Sequence, residues 1–166
     1  MPTDHEARAL TAADARAAVS NLVMTYAELL DLGDLEGVGE LFADGEIISR
    51  PDAPVRRGRD DVVAMYRAAV RLYPDGTPRT KHVTTNLVID VALDGDGPPT
   101  ATCRSYFTVL QAVDERLPLQ AVIAGRYHDE FEQVEGRWCF RRRRMFGDLY
   151  GELSHHMLFD LPRPSR

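Results

Sequence analysis

Four long segments with strand character fill the second half of the chain, Thr80 to Val91, Thr100 to Val113, Leu119 to Val134 and Arg137 to about Gly147. Hairpin-like punctuation joins them: Asp94-Gly95-Asp96-Gly97, then Asp114-Glu115-Arg116, then Glu135-Gly136. This pattern constrains the fold more than any other feature. Consecutive strands joined by tight turns pair antiparallel, and a meander of this length needs an apolar partner on one face. The first half supplies one. Thr11-Ala12-Ala13-Asp14 places a hydroxyl cap three residues before a carboxylate, and Val19, Leu22, Val23, Tyr26, Leu29 and Leu30 then recur at helical spacing to about Asp31, with Gly33 as the stop.

A second short helix, Leu35 to Phe42, follows the Asp34 cap, and a brief strand, Glu46 to Ser49, follows the Asp44-Gly45 turn. Residues Arg50 to Arg57 read as a loop with Pro51 and Pro54. Carboxylates Asp60 and Asp61 then open a third helix that Pro74-Asp75-Gly76 closes. The expected architecture is α+β: a curved antiparallel sheet wrapped around three N-terminal helices, cone-shaped with an internal pocket. Residues 1–10 read as a flexible N-terminus, 11–150 as the domain and 151–166 as a tail, frayed at Pro162 and Pro164.

Composition narrows the partners. A chain of 166 residues with 44% hydrophobic residues fits one domain, and a formal net charge of −6 disfavours nucleic acid and anionic membrane surfaces. Met1 to Glu6 lacks the basic region and apolar core of a signal peptide, and no apolar run approaches membrane-spanning length, so a cytoplasmic protein is expected. Cys103 and Cys139 lack CxxC spacing and read as free thiols. No metal-ligand spacing, P-loop, GxGxxG or GxSxG pattern occurs, and neither cofactor nor metal is expected. His155-His156 reads as a tail dipeptide. The run Arg141 to Arg144 alternates in direction on a strand, so only about half of it can face one partner.

The best candidates for chemistry lie around Thr80 to Asp90. Alternation puts His82, Thr84, Asn86 and Val88 on one face, with Val83, Thr85, Leu87 and Ile89 on the other. Asp31 ends the first helix's apolar stripe, where the negative end of the helix dipole calls for compensation, and a protonated His82 would supply it. A carboxylate paired with imidazole fixes one tautomer and leaves the other nitrogen free to take a proton. On residue types alone, that pairing and two separate structural roles both stand. Tyr26 either donates to a substrate oxygen or packs with its hydroxyl satisfied. Ser105, Phe107 and Val109 share an inward face with Ala101 and Cys103. On the next segment Tyr127 shares a face with Ala121, Ile123, Gly125, Asp129 and Phe131. With Asn86, the inward Ser105, Phe107, Val109 and Tyr127 are the expected substrate contacts in a pocket suited to a hydrophobic ligand.

Three stretches together carry a resemblance: Tyr26 to Asp34 with Leu41 to Gly45, Lys81 to Asn86, and Ala124 to Asp129 with Gly136-Arg137-Trp138. In order and spacing they resemble the SnoaL-like branch of the nuclear-transport-factor-2-like superfamily over roughly Ala12 to Gly147. Within it the arrangement is most similar to the scytalone dehydratase, bile-acid dehydratase and hexachlorocyclohexane dehydrochlorinase group. That resemblance implies a cone fold with an apolar pocket, Asp31 orienting His82 as the base, and Tyr26 polarising the substrate. It also implies a binding role for Arg143, whose inward orientation together with Trp138 requires a bulge or twist in the last strand.

The second acid or histidine that some of these dehydratases carry on the next strand has no counterpart, since Phe107 and Val109 stand there. Cyclases and isomerases of the superfamily therefore remain competitors. The expected function is a cofactor-independent lyase, isomerase or cyclase acting on a small hydrophobic, carbonyl-bearing or polycyclic substrate. Its competitor is a non-catalytic binding or assembly module like the small subunit of ring-hydroxylating dioxygenases. A homodimer or higher homo-oligomer is a family expectation.

Overall fold

The computed structural model describes residues 11–161. Its elements are α1 (Ala12–Leu32), α2 (Leu35–Glu40), β1 (Glu46–Ile48), β2 (Arg56–Arg57), α3 (Gly58–Ala69), β3 (Thr80–Ala92), β4 (Thr100–Val113), β5 (Leu117–Val134) and β6 (Arg137–Tyr150). The architecture is α+β, with one curved, unclosed sheet in the order β2-β1-β6-β5-β4-β3. The four long strands form the antiparallel meander. Two details correct the sequence expectation. Strand β1 pairs parallel with β6, so the sheet is mixed, and β2 forms inside the stretch expected to be loop. A two-residue strand has too little alternation to announce itself.

Local chemistry sets the ends of α1. The Thr11 hydroxyl accepts from Asp14 N at 3.1 Å while the Asp14 carboxylate accepts from Thr11 N at 3.2 Å, a reciprocal capping box. At the other end Gly33 adopts φ 74°, and its N–H reaches back to the Leu29 and Leu30 carbonyls. The stripe Val19, Val23, Tyr26 and Leu30 is buried against the sheet, where it meets Phe42, Phe131 and Phe140 in one continuous core. Gly33→Ala is expected to cost more than about 1 kcal/mol in denaturant unfolding, because it combines a left-handed backbone with steric overlap. A Cβ at that position would lie 2.0 Å from the Gly76 carbonyl oxygen.

The sheet curls because its long strands are bulged. Register shifts interrupt the β3–β4 pairing between Thr85 and Val88, the β4–β5 pairing after Val109, and the β5–β6 pairing after Glu130. Each extra residue bends its strand and inverts the in-out alternation beyond it. Residues 151–161 are not the loose tail expected from the sequence. They run back beside the end of α3, where Val70 bridges Met157, the Arg71 N–H donates to the His156 carbonyl at 2.9 Å, and the Leu158 N–H donates to the Ala69 carbonyl at 2.9 Å. The expected flexible segment 1–10, and Pro162 and Pro164, lie outside the described residues. Among the described residues, no helix is long and apolar enough to cross a membrane.

Candidate active site

A cavity of about 480 Å³ opens between the concave face of the sheet, α1, α3 and the returning C-terminal segment. Its size and mostly apolar lining suit a small organic molecule. Helix α1 contributes Tyr26 and Leu30, and β3 contributes His82 at its mouth. Asp31 follows Leu30 and is turned about 100° from it around the helix axis. It therefore faces β3 from behind His82 and does not line the cavity.

The two residues meet. Asp31 Oδ1 lies 2.6 Å from His82 Nδ1, the His82 backbone N–H donates to Asp31 Oδ2 at 2.9 Å, and the Thr80 hydroxyl donates to Oδ1 at 2.8 Å. Both side chains are buried. A carboxylate only accepts, so Nδ1 carries a proton in either charge state, and in the neutral imidazole Nε2 keeps its lone pair. Burial works against the Asp31 charge, but the hydrogen bonds and charge of His82, with the Thr80 hydroxyl, outweigh it and hold the carboxyl below the usual range. This is the compensation that the position at a helix C-terminus calls for.

Beside the dyad stands a cluster of phenols. The Tyr26 and Tyr66 hydroxyls share a short hydrogen bond, and both rings line the cavity together with Tyr127. Burial raises all three phenol pKa values despite the nearby Arg143, so they are neutral donors at physiological pH. Phe107 and Val109 also line the cavity, with Phe107 stacked on Tyr127 at 4.4 Å between centroids.

Three expected contacts are placed elsewhere. Asn86 occupies the β3 bulge at φ 55° and is exposed on the outer face; beyond it Leu87 and Ile89 turn inward instead of Val88. Ser105 points inward but is buried beside Tyr127 on the neighbouring strand, and bulkier neighbours form the cavity wall. Arg143 does share the inner side of β6 with Trp138, through the bulge at Arg141 that this requires, yet it lies behind the cavity wall. Its guanidinium is fully buried, paired with both Asp129 oxygens at 2.8 and 2.7 Å, and centred 4.0 Å above the Tyr26 ring and 4.1 Å above the Tyr127 ring. Burial works against the Arg143 charge, but Asp129 more than offsets it and holds the cation above its ordinary pKa. Elsewhere in the run Arg142 pairs outward with Glu46 and Glu130, and Arg141 with Glu132, while Arg144 is exposed.

His156 is the residue that sequence reasoning passes over. The returning segment places it 7% exposed in the cavity wall, its ring centroid 6.4 Å from that of His82. The Tyr73 hydroxyl and the Gln111 amide fix this turn by donating to the His155 carbonyl at 2.7 and 3.0 Å. Nothing in the local sequence signals this, apart from the apolar character of Met157, Leu158 and Phe159. Burial first, then the neighbouring His82, push the His156 pKa down to about 4, with Asp31 opposing.

An unfolded histidine titrates higher, so between about pH 4 and about pH 6.5 the unfolded chain binds the extra proton. Stability must then rise with pH across that window, with a slope of up to about 1.4 kcal/mol per pH unit from this residue. Asp31, whose pKa is depressed, adds a loss of stability at still lower pH. Urea unfolding across the window should show the slope in the wild-type protein and a flatter one in His156→Phe.

Among the described residues, no group of three His, Cys, Asp or Glu side chains is placed to hold a metal ion. The model of the SnoaL-like domain matches residues 11–144. Among solved structures, an NTF2-like protein with a cystatin-like fold from Novosphingobium aromaticivorans is 25% identical, covering 78% of this chain and 79% of that one at a TM-score of 0.62. A Mycobacterium tuberculosis protein of unknown function is 26% identical, covering 84% and 78% at 0.62. A candidate scytalone dehydratase from Novosphingobium aromaticivorans, 23% identical over 81% and 85% at 0.61, shares the fold.

Proposed function

The chain belongs to the SnoaL-like domain family, and from that premise we propose that it is a lyase, isomerase or cyclase that works by proton abstraction without a cofactor. The observation that supports this reading is the buried Asp31–His82 pair at 2.6 Å, with His82 on the cavity wall and Asp31 behind it. A pocket that only binds apolar ligands has no use for a buried charged pair oriented in this way.

The substrate class is a small hydrophobic compound bearing a carbonyl group. Held through Nδ1–H by Asp31, the His82 imidazole takes a proton from carbon next to the carbonyl, and the electron pair moves to oxygen. Tyr26, with Tyr66 behind its hydroxyl, donates to that oxyanion. The enolate then expels a leaving group, is reprotonated at another carbon, or attacks a second carbonyl. Loss of hydroxide demands an acid, and the inward positions of β4 near the dyad are Phe107 and Val109. Elimination of a better leaving group, isomerisation and cyclisation fit this site more readily than dehydration.

The test needs no natural substrate. Nitrobenzisoxazole opens when a base removes its carbon-bound proton and the N–O bond breaks, giving a nitrile and a phenolate. His82→Ala should slow this reaction by about a hundredfold to ten-thousandfold in a protein that still folds. Turnover no better than that of free imidazole, or unchanged by the substitution, would refute the catalytic reading in favour of a binding module.

A further inference from the structure

The cavity is apolar along most of its wall but carries charge at one place. Arg50, in the turn after β1, and Arg56, on β2, both line it. The register explains Arg56: it stands opposite Ile47, which is fully buried, and so shares the inner face, whereas its neighbour Arg57 stands opposite Glu46 and pairs with it at 3.1 Å. Arg50 begins a tight turn, Arg50-Pro51-Asp52-Ala53, closed by Ala53 N donating to the Arg50 carbonyl at 3.1 Å.

Neither arginine makes an ion pair with any described residue, and Asp52, the acid of that turn, is exposed and pairs with neither. By contrast, Arg57 and Arg142 share Glu46, and Arg59 holds Glu36, Glu40 and Asp60. Among the described residues lining the cavity there is no Asp, Glu or Lys, so these two half-buried arginines meet no counter-charge in its wall. They set a positive potential where the protein interior screens poorly.

We propose that the cavity binds an amphipathic organic anion, with its apolar body among the aromatic and aliphatic side chains and its carboxylate or phosphate at Arg50 and Arg56. Guanidinium groups suit this role because their planar donors match two oxygens of either anion at once. The proposal rests on the reading of this cavity as the substrate site and adds the charge of the substrate. It also gives the ligand a direction, anchored at the β1–β2 edge of the sheet while its body extends among the aromatic side chains.

Isothermal titration calorimetry with naphthylacetate, naphthyl phosphate and naphthylacetamide tests it by binding alone. The three probes share one apolar body and differ in charge. At least one anion should bind about tenfold or more tightly than the neutral amide, and Arg50→Gln with Arg56→Gln should abolish that preference. Arg50 lies outside every helix and strand, so Arg50→Gln alone, expected to reduce the preference, keeps the test open if the double variant misfolds. No preference for either anion over the amide, or a preference that survives the substitutions, overturns the proposal. Since turnover plays no part, failure of the nitrobenzisoxazole reaction would remove the catalytic reading and leave this result standing.

Discussion

Replacing Asp129 with alanine is expected to remove about 3–5 kcal/mol of folding stability, the range for stranding one member of a buried ion pair. Arg143 and Asp129 are both at the centre of the molecule, with side chains wholly excluded from solvent and two parallel hydrogen bonds between them. Without Asp129 the guanidinium keeps its charge in an interior of Tyr26, Tyr127 and Phe140 rings, which face its flat surface but offer no counter-charge. Burial already strains the other partner, since it raises the Asp129 carboxyl above its ordinary range with Arg143 opposing. Arg143→Met should be comparably severe.

The double variant Asp129→Leu with Arg143→Met should recover much of the loss, because two apolar side chains of similar size no longer require mutual compensation. Urea unfolding of the three variants reads all of this directly. A loss under about 1 kcal/mol in Asp129→Ala would mean that water or another acid reaches Arg143. The pair also bears on the site, because Arg143 backs the Tyr26 and Tyr127 rings that line the cavity. On the proposed reading of the site it acts through those rings, as a positioning residue.

Asp31→Asn is expected to lower proton-abstraction activity by about a hundredfold to ten-thousandfold while leaving the fold intact. The hydrogen bonds around Asp31 explain why the amide is so damaging. Oδ2 accepts the backbone N–H of His82, so in the variant the amide oxygen stays there and the NH₂ group occupies the place of Oδ1, 2.6 Å from His82 Nδ1. Two donors cannot face each other. Nδ1 must therefore give up its proton and accept, which moves the hydrogen to Nε2 and takes away the lone pair to which proton abstraction is assigned in the proposed mechanism. Nitrogen-15 NMR of the imidazole reports this tautomer exchange without any substrate. Activity lost with no change of tautomer would assign Asp31 a different role.

The elements themselves were legible along the chain. The Thr11–Asp14 box, the stripe from Val19 to Leu30, the Gly33 stop and the hairpin turns are short-range signals, each contained within a few residues. They were sufficient for α+β architecture and for an antiparallel meander from Thr80 onward. Asp31 and His82 were legible as candidates because their residue types suited one another and their positions resembled those of a known family. Their meeting was not legible, since it depends on α1 crossing the mouth of β3.

What the sequence determined, then, is every feature that one turn of helix or one strand pair can encode: periodicity, caps, turns and the residue types of the dyad. Tertiary structure alone decided the rest. Strand bulges at Asn86 and Arg141 invert alternation, sending Asn86 out to solvent and Arg143 into the core, and a bulge exists only relative to the strand it pairs with. The return of residues 151–161 over the end of α3 converts His156 from a tail residue into part of the cavity wall. Pairing of Arg56 opposite Ile47 likewise directs one arginine inward and the next outward. In each case the deciding contact joins residues on different elements, and its free energy comes from burying surfaces that no local window contains.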